Sequence, residues 1–231
     1  MQPGPIRMKF STVVIFGGDT DTGFQLAKRA LTGGLKVLAV ICGPRDLDYI
    51  ARAGAETVRC DVTDRAAVRA VFAGREGGEI AVVCILGGSP QMNTEGNINV
   101  IDAAVAAGVS RFVLTTSIGC GDSAAVLDPF VKVVAGRAIL AKEWAENHLR
   151  ATGLDWTIVR SGGTTRARRP TSGTALLTDS TVVTGYIAMT DLGDMLFVAL
   201  ASPHTSQRTL AAVDRARAHN VDGSPVIPAE L

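Results

Sequence analysis

Seven residues, Gly17-Gly18-Asp19-Thr20-Asp21-Thr22-Gly23, follow the β-branched run TVVIF (Thr12–Phe16) and precede a stretch with Phe24, Leu26, Ala27, Ala30 and Leu31 at helical spacing. A glycine turn in that place has a defined chemistry. Missing side chains let the backbone approach a phosphate, and the helix N-terminus offers N–H donors and a partial positive charge. Gly17, Thr20, Asp21, Thr22 and Gly23 are therefore candidate ligands of a pyrophosphate. The other reactive side chains do not group in this way. Cys42, Cys60, Cys84 and Cys120 form no CxxC pair and lie far in sequence from His148, His204 and His219, so no metal site is read. The first three cysteines sit in or just after apolar strand-like runs, where a reduced thiol is a small hydrophobe. His148 reads as a solvated helix residue.

The elements that position the turn repeat in order. Strand-like runs follow at KVLAVI (36–41), ETVRCDV (56–62), AVVCIL (81–86), RFVLTT (111–116), DWTIVR (155–160) and TLAAVD (209–214). Helical spacing covers 23–31, 46–53, 64–72 with Asp64 at its start, 97–107 ended by Gly108, 131–151, and 191–201 with Asp191 as its cap. Strands separated by helices need crossovers, so the sheet is parallel and covered on both faces. The fold class is α/β, a doubly wound parallel-sheet Rossmann fold with a small C-terminal elaboration on the substrate side. Residues 1–11 read as a flexible arm, 12–214 as one domain and 215–231 as a tail. Open sheets of this kind bind ligands at the carboxyl ends of their strands. That edge presents Leu86, Gly87 and Gly88 after the fourth strand, where small residues admit a cofactor, and Arg160, Ser161 and Gly162 after the sixth. The basic loop Arg166–Arg169 reads as solvated.

The chain resembles the atypical short-chain dehydrogenase/reductases of the NmrA-like and flavin/biliverdin reductase-like group. The resemblance is carried by the turn itself, DVTD (61–64), NINVIDAAVAAGVSRFV (97–113), TTSIG (115–119), AKEWAENHLRATGLDWTIVRSGG (141–163) and the segment around Thr190-Asp191, and spans residues 12–214. It implies NADPH or NADH as cofactor and a small, often planar acceptor. It places Asp61, with Val62 beside it, next to the adenine, and Ser117, Ile118 and Gly119 near the nicotinamide and substrate. Two positions depart from the pattern. Thr20 stands where the turn's middle glycine falls, and Cys42 where NADPH-selective relatives carry arginine at the end of the second strand. Asp19 and Asp21 add negative charge beside an anionic ligand. Arg45 either reaches a 2′-phosphate or is a solvated residue at a helix start.

Many dehydrogenases of the wider superfamily use Tyr-x-x-x-Lys on one helix face, with Tyr as proton donor and Lys holding the ribose. Lys142 matches the lysine, but Ala138 takes the tyrosine's place, and the two tyrosines are Tyr49 and Tyr186. Ser117 and Lys142 are the catalytic candidates. A quinone-, flavin- or enone-like acceptor needs little enzymic acid, because its reduced form delocalises charge and takes a proton from water.

Twenty-three basic residues against twenty-two acidic ones leave a net charge of +1, without the excess that would hold nucleic acid or a membrane surface. The opening MQPGPIRMKF has no apolar signal-like run, and a cytoplasmic protein acting on a small molecule as monomer or homodimer is expected. The reading is an NAD(P)H-binding oxidoreductase. A non-catalytic sensor or assembly factor and a redox-neutral lyase, isomerase or cyclase are the alternatives.

Overall fold

Period-two alternation divides the strand side chains between two cores, one on each face of a central sheet. In the computed structural model, which describes residues 8–44, 48–75, 77–165 and 173–231, Val14 and Phe16 of β1 (Thr12–Phe16) enter one core, and Val13 and Ile15 the other. The same split holds in β2 (Lys36–Ile41), β4 (Ile80–Cys84) and β5 (Arg111–Ser117). Continuous burial on both faces is why these strands read as unbroken apolar runs. Phe16 is fully buried, and truncating such a side chain to alanine costs about 3–5 kcal/mol.

With β3 (Glu56–Arg59) and β6 (Trp156–Ser161), the strands lie in the order β3-β2-β1-β4-β5-β6, all parallel. This is the doubly wound order expected from the sequence. Next come β10 (Arg208–Asp214), parallel to β6, and β8 (Ala175–Thr178), antiparallel to β10. Helices α3 (Arg65–Ala70), α4 (Asn97–Ala107) and α5 (Pro129–Arg150) cover one face, while α1 (Asp21–Thr32), α2 (Asp48–Ala51) and α6 (Met189–Ala201) cover the other. Asp64 caps α3 by accepting from the amides of Ala66 and Ala67, and Gly108 ends α4 in the left-handed conformation.

The structure corrects several boundaries. β3 stops at Arg59 because its partner β2 ends opposite at Ile41, and β4 stops at Cys84 because β1 ends at Phe16. Asp191 is not the cap of α6. The helix starts at Met189, and Asp191 is buried in its first turn, where a carboxylate complements the helix dipole. Residues 8–11 are no loose arm: Phe10 is buried, and the Ser11 amide donates to Glu79 O. Nor is 215–231 a mere tail. It supplies β11 (Ala218–Asn220), which joins β9 (Val183–Ala188) and β7 (Gly163–Thr165) in a second sheet, and the Ala229 amide donates to Leu177 O. Arg45 and the Arg166–Arg169 loop lie outside the described residues.

Candidate functional site

Because β1 to β6 run parallel and in register, everything that follows their last residues collects at one edge. The chain winds outward in both directions from β1 and β4, so a crevice opens between the ends of those two strands. The glycine turn borders it after β1, with Cys42 after β2, Asp61 and Val62 after β3, and Leu86, Gly87 and Gly88 after β4. Ser117 to Gly119 and Ser161-Gly162 continue the edge past β5 and β6.

The turn is built for close approach. Gly17 has φ +86°, and a Cβ on Gly23 would collide with the Gly17 carbonyl, so α1 begins tight against β1. Thr20 is the N-cap of α1. Its hydroxyl accepts from the Gly23 amide at 2.9 Å and donates to Gly17 O at 2.8 Å, so the hydroxyl is directed into the turn. The Asp19 carboxylate accepts from the Cys42 amide at 3.3 Å. Asp61 is folded into a local turn, accepting from both the amide and hydroxyl of Thr63, and these bonds hold its pKa below the usual value. The Val62 carbonyl accepts from Asn99 Nδ2, and Gly96 lies so close to Val62 that a Cβ there would stand 2.9 Å from its side chain. Beyond β4, Gly87 has open space around its Cβ position, and Gly88 has φ +114°. This edge fits a dinucleotide: a cradle that side chains would fill, facing a helix N-terminus.

Past β5 the edge opens into a cavity of about 790 Å³. Ser117, Ile118, Lys142, Ser161 and Gly162, all singled out from the sequence, line it. Ser117 and Ser161 face each other in register on β5 and β6. The Ser117 hydroxyl donates to Ile118 O at 3.1 Å and that of Ser161 to Thr116 O at 3.1 Å. Lys142 stands on α5, one turn after Ala138, which also lines the cavity. No carboxylate among the described residues pairs with Lys142. Burial lowers its pKa below the ordinary lysine value. An ammonium so placed has donors to offer a polar ligand.

Arg160 does not line the cavity, contrary to expectation, and neither does Gly119. The Arg160 guanidinium is buried and committed to Glu146, Asp122 and Ser123. Burial works against its charge, but those two carboxylates outweigh it and hold its pKa above the ordinary value. Gly119 turns the chain away with φ +103°, packed against Leu127. His148 pairs with Asp102 at 2.7 Å. All four cysteines are free. Burial pushes the Cys42 thiol up to about 12 and those of Cys60 and Cys120 to about 11, so these thiols stay protonated at neutral pH.

Apart from Tyr186, which the sequence puts near the C-terminal elaboration and the pocket, the opposite wall comes from residues the sequence reading missed. Thr184, Gly185 and Tyr186 of β9 line the cavity together with Arg217, His219 and Val221 on and around β11. The Arg217 guanidinium lies over the Tyr186 ring, 5.1 Å from its centroid. No period could announce Arg217 and His219, because β11 is three residues long and Arg217 belongs to the helical turn before it.

A family model described as NAD(P)H-binding matches residues 17–203, and the chain belongs to that family. Among curated proteins, an uncharacterized chloroplastic protein of Arabidopsis thaliana is 28% identical over 229 residues, covering 91% of this chain and 79% of the relative. The chloroplastic protein TIC 62 of Pisum sativum is 28% identical over 167 residues, 65% of this chain; the match spans only 30% of TIC 62. Among solved structures, ChuY from Escherichia coli O157:H7, an anaerobillin reductase, superposes with a TM-score of 0.78 at 26% identity, covering 88% of this chain and 97% of ChuY. No helix among the described residues is long and apolar enough to cross a membrane.

Proposed function

We propose that the chain is an NAD(P)H-dependent reductase that passes hydride to a small conjugated acceptor of the quinone, flavin or enone kind. The observation that carries this reading is Lys142, a half-buried cation that lines the cavity one turn after Ala138 and has no carboxylate partner among the described residues. The likeness to ChuY supports a reductase, since that protein is one.

A bound reduced nicotinamide dinucleotide would supply the hydride. The turn from Gly17 to Gly23 receives its pyrophosphate through backbone and helix N-terminus. Asp61 and Cys42 border the adenosine end. Lys142 donates to the ribose hydroxyls beside the nicotinamide, and Ser117 orients the acceptor by donating to its carbonyl. With Ala138 in place of a tyrosine, no phenol stands on that face of α5 to donate the proton, which suits an acceptor whose reduced form spreads its charge and takes a proton from water. The walls formed by Ile118, Val126, Leu127 and Ile139 suit a flat apolar body, and Arg217 and His219 on the far wall favour an acceptor bearing an acidic group.

The test is oxidation of NADH and NADPH by the full chain with quinone, flavin and enone acceptors. The proposal expects acceptor-dependent oxidation with at least one class, strongly reduced in Lys142→Ala. Tight nucleotide binding without oxidation by any acceptor would favour the non-catalytic sensor reading.

A further inference from the structure

The Gly17–Gly23 turn brings an acidic side chain to the place where this fold discriminates between the two nicotinamide dinucleotides. In doubly wound folds the adenosine ribose lies against the end of the second strand, and a carboxylate there accepts from its 2′-hydroxyl, whereas a 2′-phosphate needs donors and positive charge. The second strand of this chain ends at Ile41, with Cys42 next, and has no acid of its own. The turn provides one. The amides of Gly17 and Gly18 both donate to Val40 O at 3.1 Å, and Gly18 lies so close to β2 that a Cβ would stand 2.8 Å from that of Ala39. The turn therefore leans over the end of β2 and delivers Asp19 to the Cys42 amide. Gly43 completes the fit, since a Cβ there would stand 2.5 Å from Asp19 Oδ2.

The geometry points to Asp19 as the residue that selects NADH over NADPH, by accepting from the adenosine 2′-hydroxyl and repelling a 2′-phosphate. This rests on the reading of the crevice as a nucleotide site. Two effects act together. The carboxylate occupies the Cys42 N–H, a backbone donor at the strand end that a 2′-phosphate would otherwise use. Its charge also opposes a phosphate at hydrogen-bond range, where the repulsion is strongest. Among the described residues, a cation at the same strand end is Arg59, whose Nη1 donates to Gly43 O at 2.7 Å. If Arg59 dominated, the preference would be reversed.

The experiment is a fluorescence titration of the full chain with NADH and with NADPH, repeated for Asp19→Asn and Asp19→Ser, with circular dichroism to confirm folding. Wild type is expected to bind NADH about tenfold or more tightly than NADPH, and both variants to lose most of that ratio, chiefly by binding NADPH better. A wild type that prefers NADPH, or a ratio that neither variant moves, overturns the assignment of Asp19 and leaves the nucleotide site standing. A wild type that binds neither nucleotide overturns the site and this assignment together.

Discussion

Glu146 and Arg160 meet inside the protein through two parallel hydrogen bonds, Nε to Oε1 at 3.0 Å and Nη2 to Oε2 at 2.8 Å, with both side chains buried. Thr116 donates to Oε1 at 2.6 Å and Arg150 to Oε2 at 2.9 Å, so one carboxylate joins α5 to β5 and β6. Asp122 and Ser123 take the remaining side of the Arg160 guanidinium, which fixes the loop after Ser117. The charge at the end of β6 thus holds the shape of the cavity from behind. Glu146→Ala leaves a buried guanidinium without its main partner and is expected to cost about 3–5 kcal/mol in urea unfolding. A loss below about 1 kcal/mol would mean that the network contributes little to the fold.

Lys142, in the role proposed for it, carries an expected cost in stability. Its pKa in the folded chain lies below the ordinary value of 10.5, so the folded state disfavours the ammonium. Below the lowered pKa both states are protonated and the penalty is complete. As pH rises from there to 10.5 the folded protein binds fewer protons than the unfolded one, and wild-type stability climbs. Lys142→Met removes the charge. It is expected to raise the midpoint of thermal unfolding at neutral pH by about 2–4 °C, the shift that roughly 1 kcal/mol gives in a chain of this length. That advantage should shrink as pH rises through the alkaline range. A variant less stable than wild type at neutral pH would contradict the account.

Thr20 belongs to the fold more than to the ligand. Its hydroxyl closes the turn and caps α1, so Thr20→Ala is expected to cost about 1 kcal/mol in denaturant unfolding and Thr20→Gly only a few tenths. If the Thr20 side chain weakened pyrophosphate binding, glycine at this position would tighten it by clearing the phosphate path. The inward hydroxyl predicts instead that Thr20→Gly leaves the affinity within about twofold, within the few tenths of a kcal/mol that separate glycine from threonine at a cap. A tenfold gain would restore the steric explanation.

On the proposed function, Arg217 acts on the acceptor and not on the nucleotide. Arg217→Ala is expected to raise KM for carboxylated acceptors about two- to fivefold, the range for an exposed ion pair, with neutral acceptors unaffected. Equal effects on both acceptor types would remove Arg217 from recognition.

The order of strands and helices was legible because each element carries its own period: unbroken β-branched runs for strands buried on both faces, and three- to four-residue spacing for the helices. Residues that follow directly from a strand end, such as Ser117 and Ser161, were legible for the same reason, since a parallel sheet sends every such end to one edge. What the sequence hid depends on distant partners. Arg160 looked like a ligand until Glu146, fourteen positions away on α5, was seen to hold it. Asp19 looked like an unwelcome charge in a phosphate turn until Cys42 was found against it. Arg217 and His219 stand in a short turn and a strand of three residues, too short for periodicity to announce, and were read as a tail.

Calorimetric titration of the wild-type chain and of Lys142→Ala with NADH and NADPH tests the nucleotide site most directly. The account predicts saturable binding of at least one reduced nucleotide at one site per chain, weakened by about tenfold in the variant through loss of charge-assisted hydrogen bonds to the ribose. Absence of binding to wild type at millimolar nucleotide, or equal affinities in the two proteins, would contradict it.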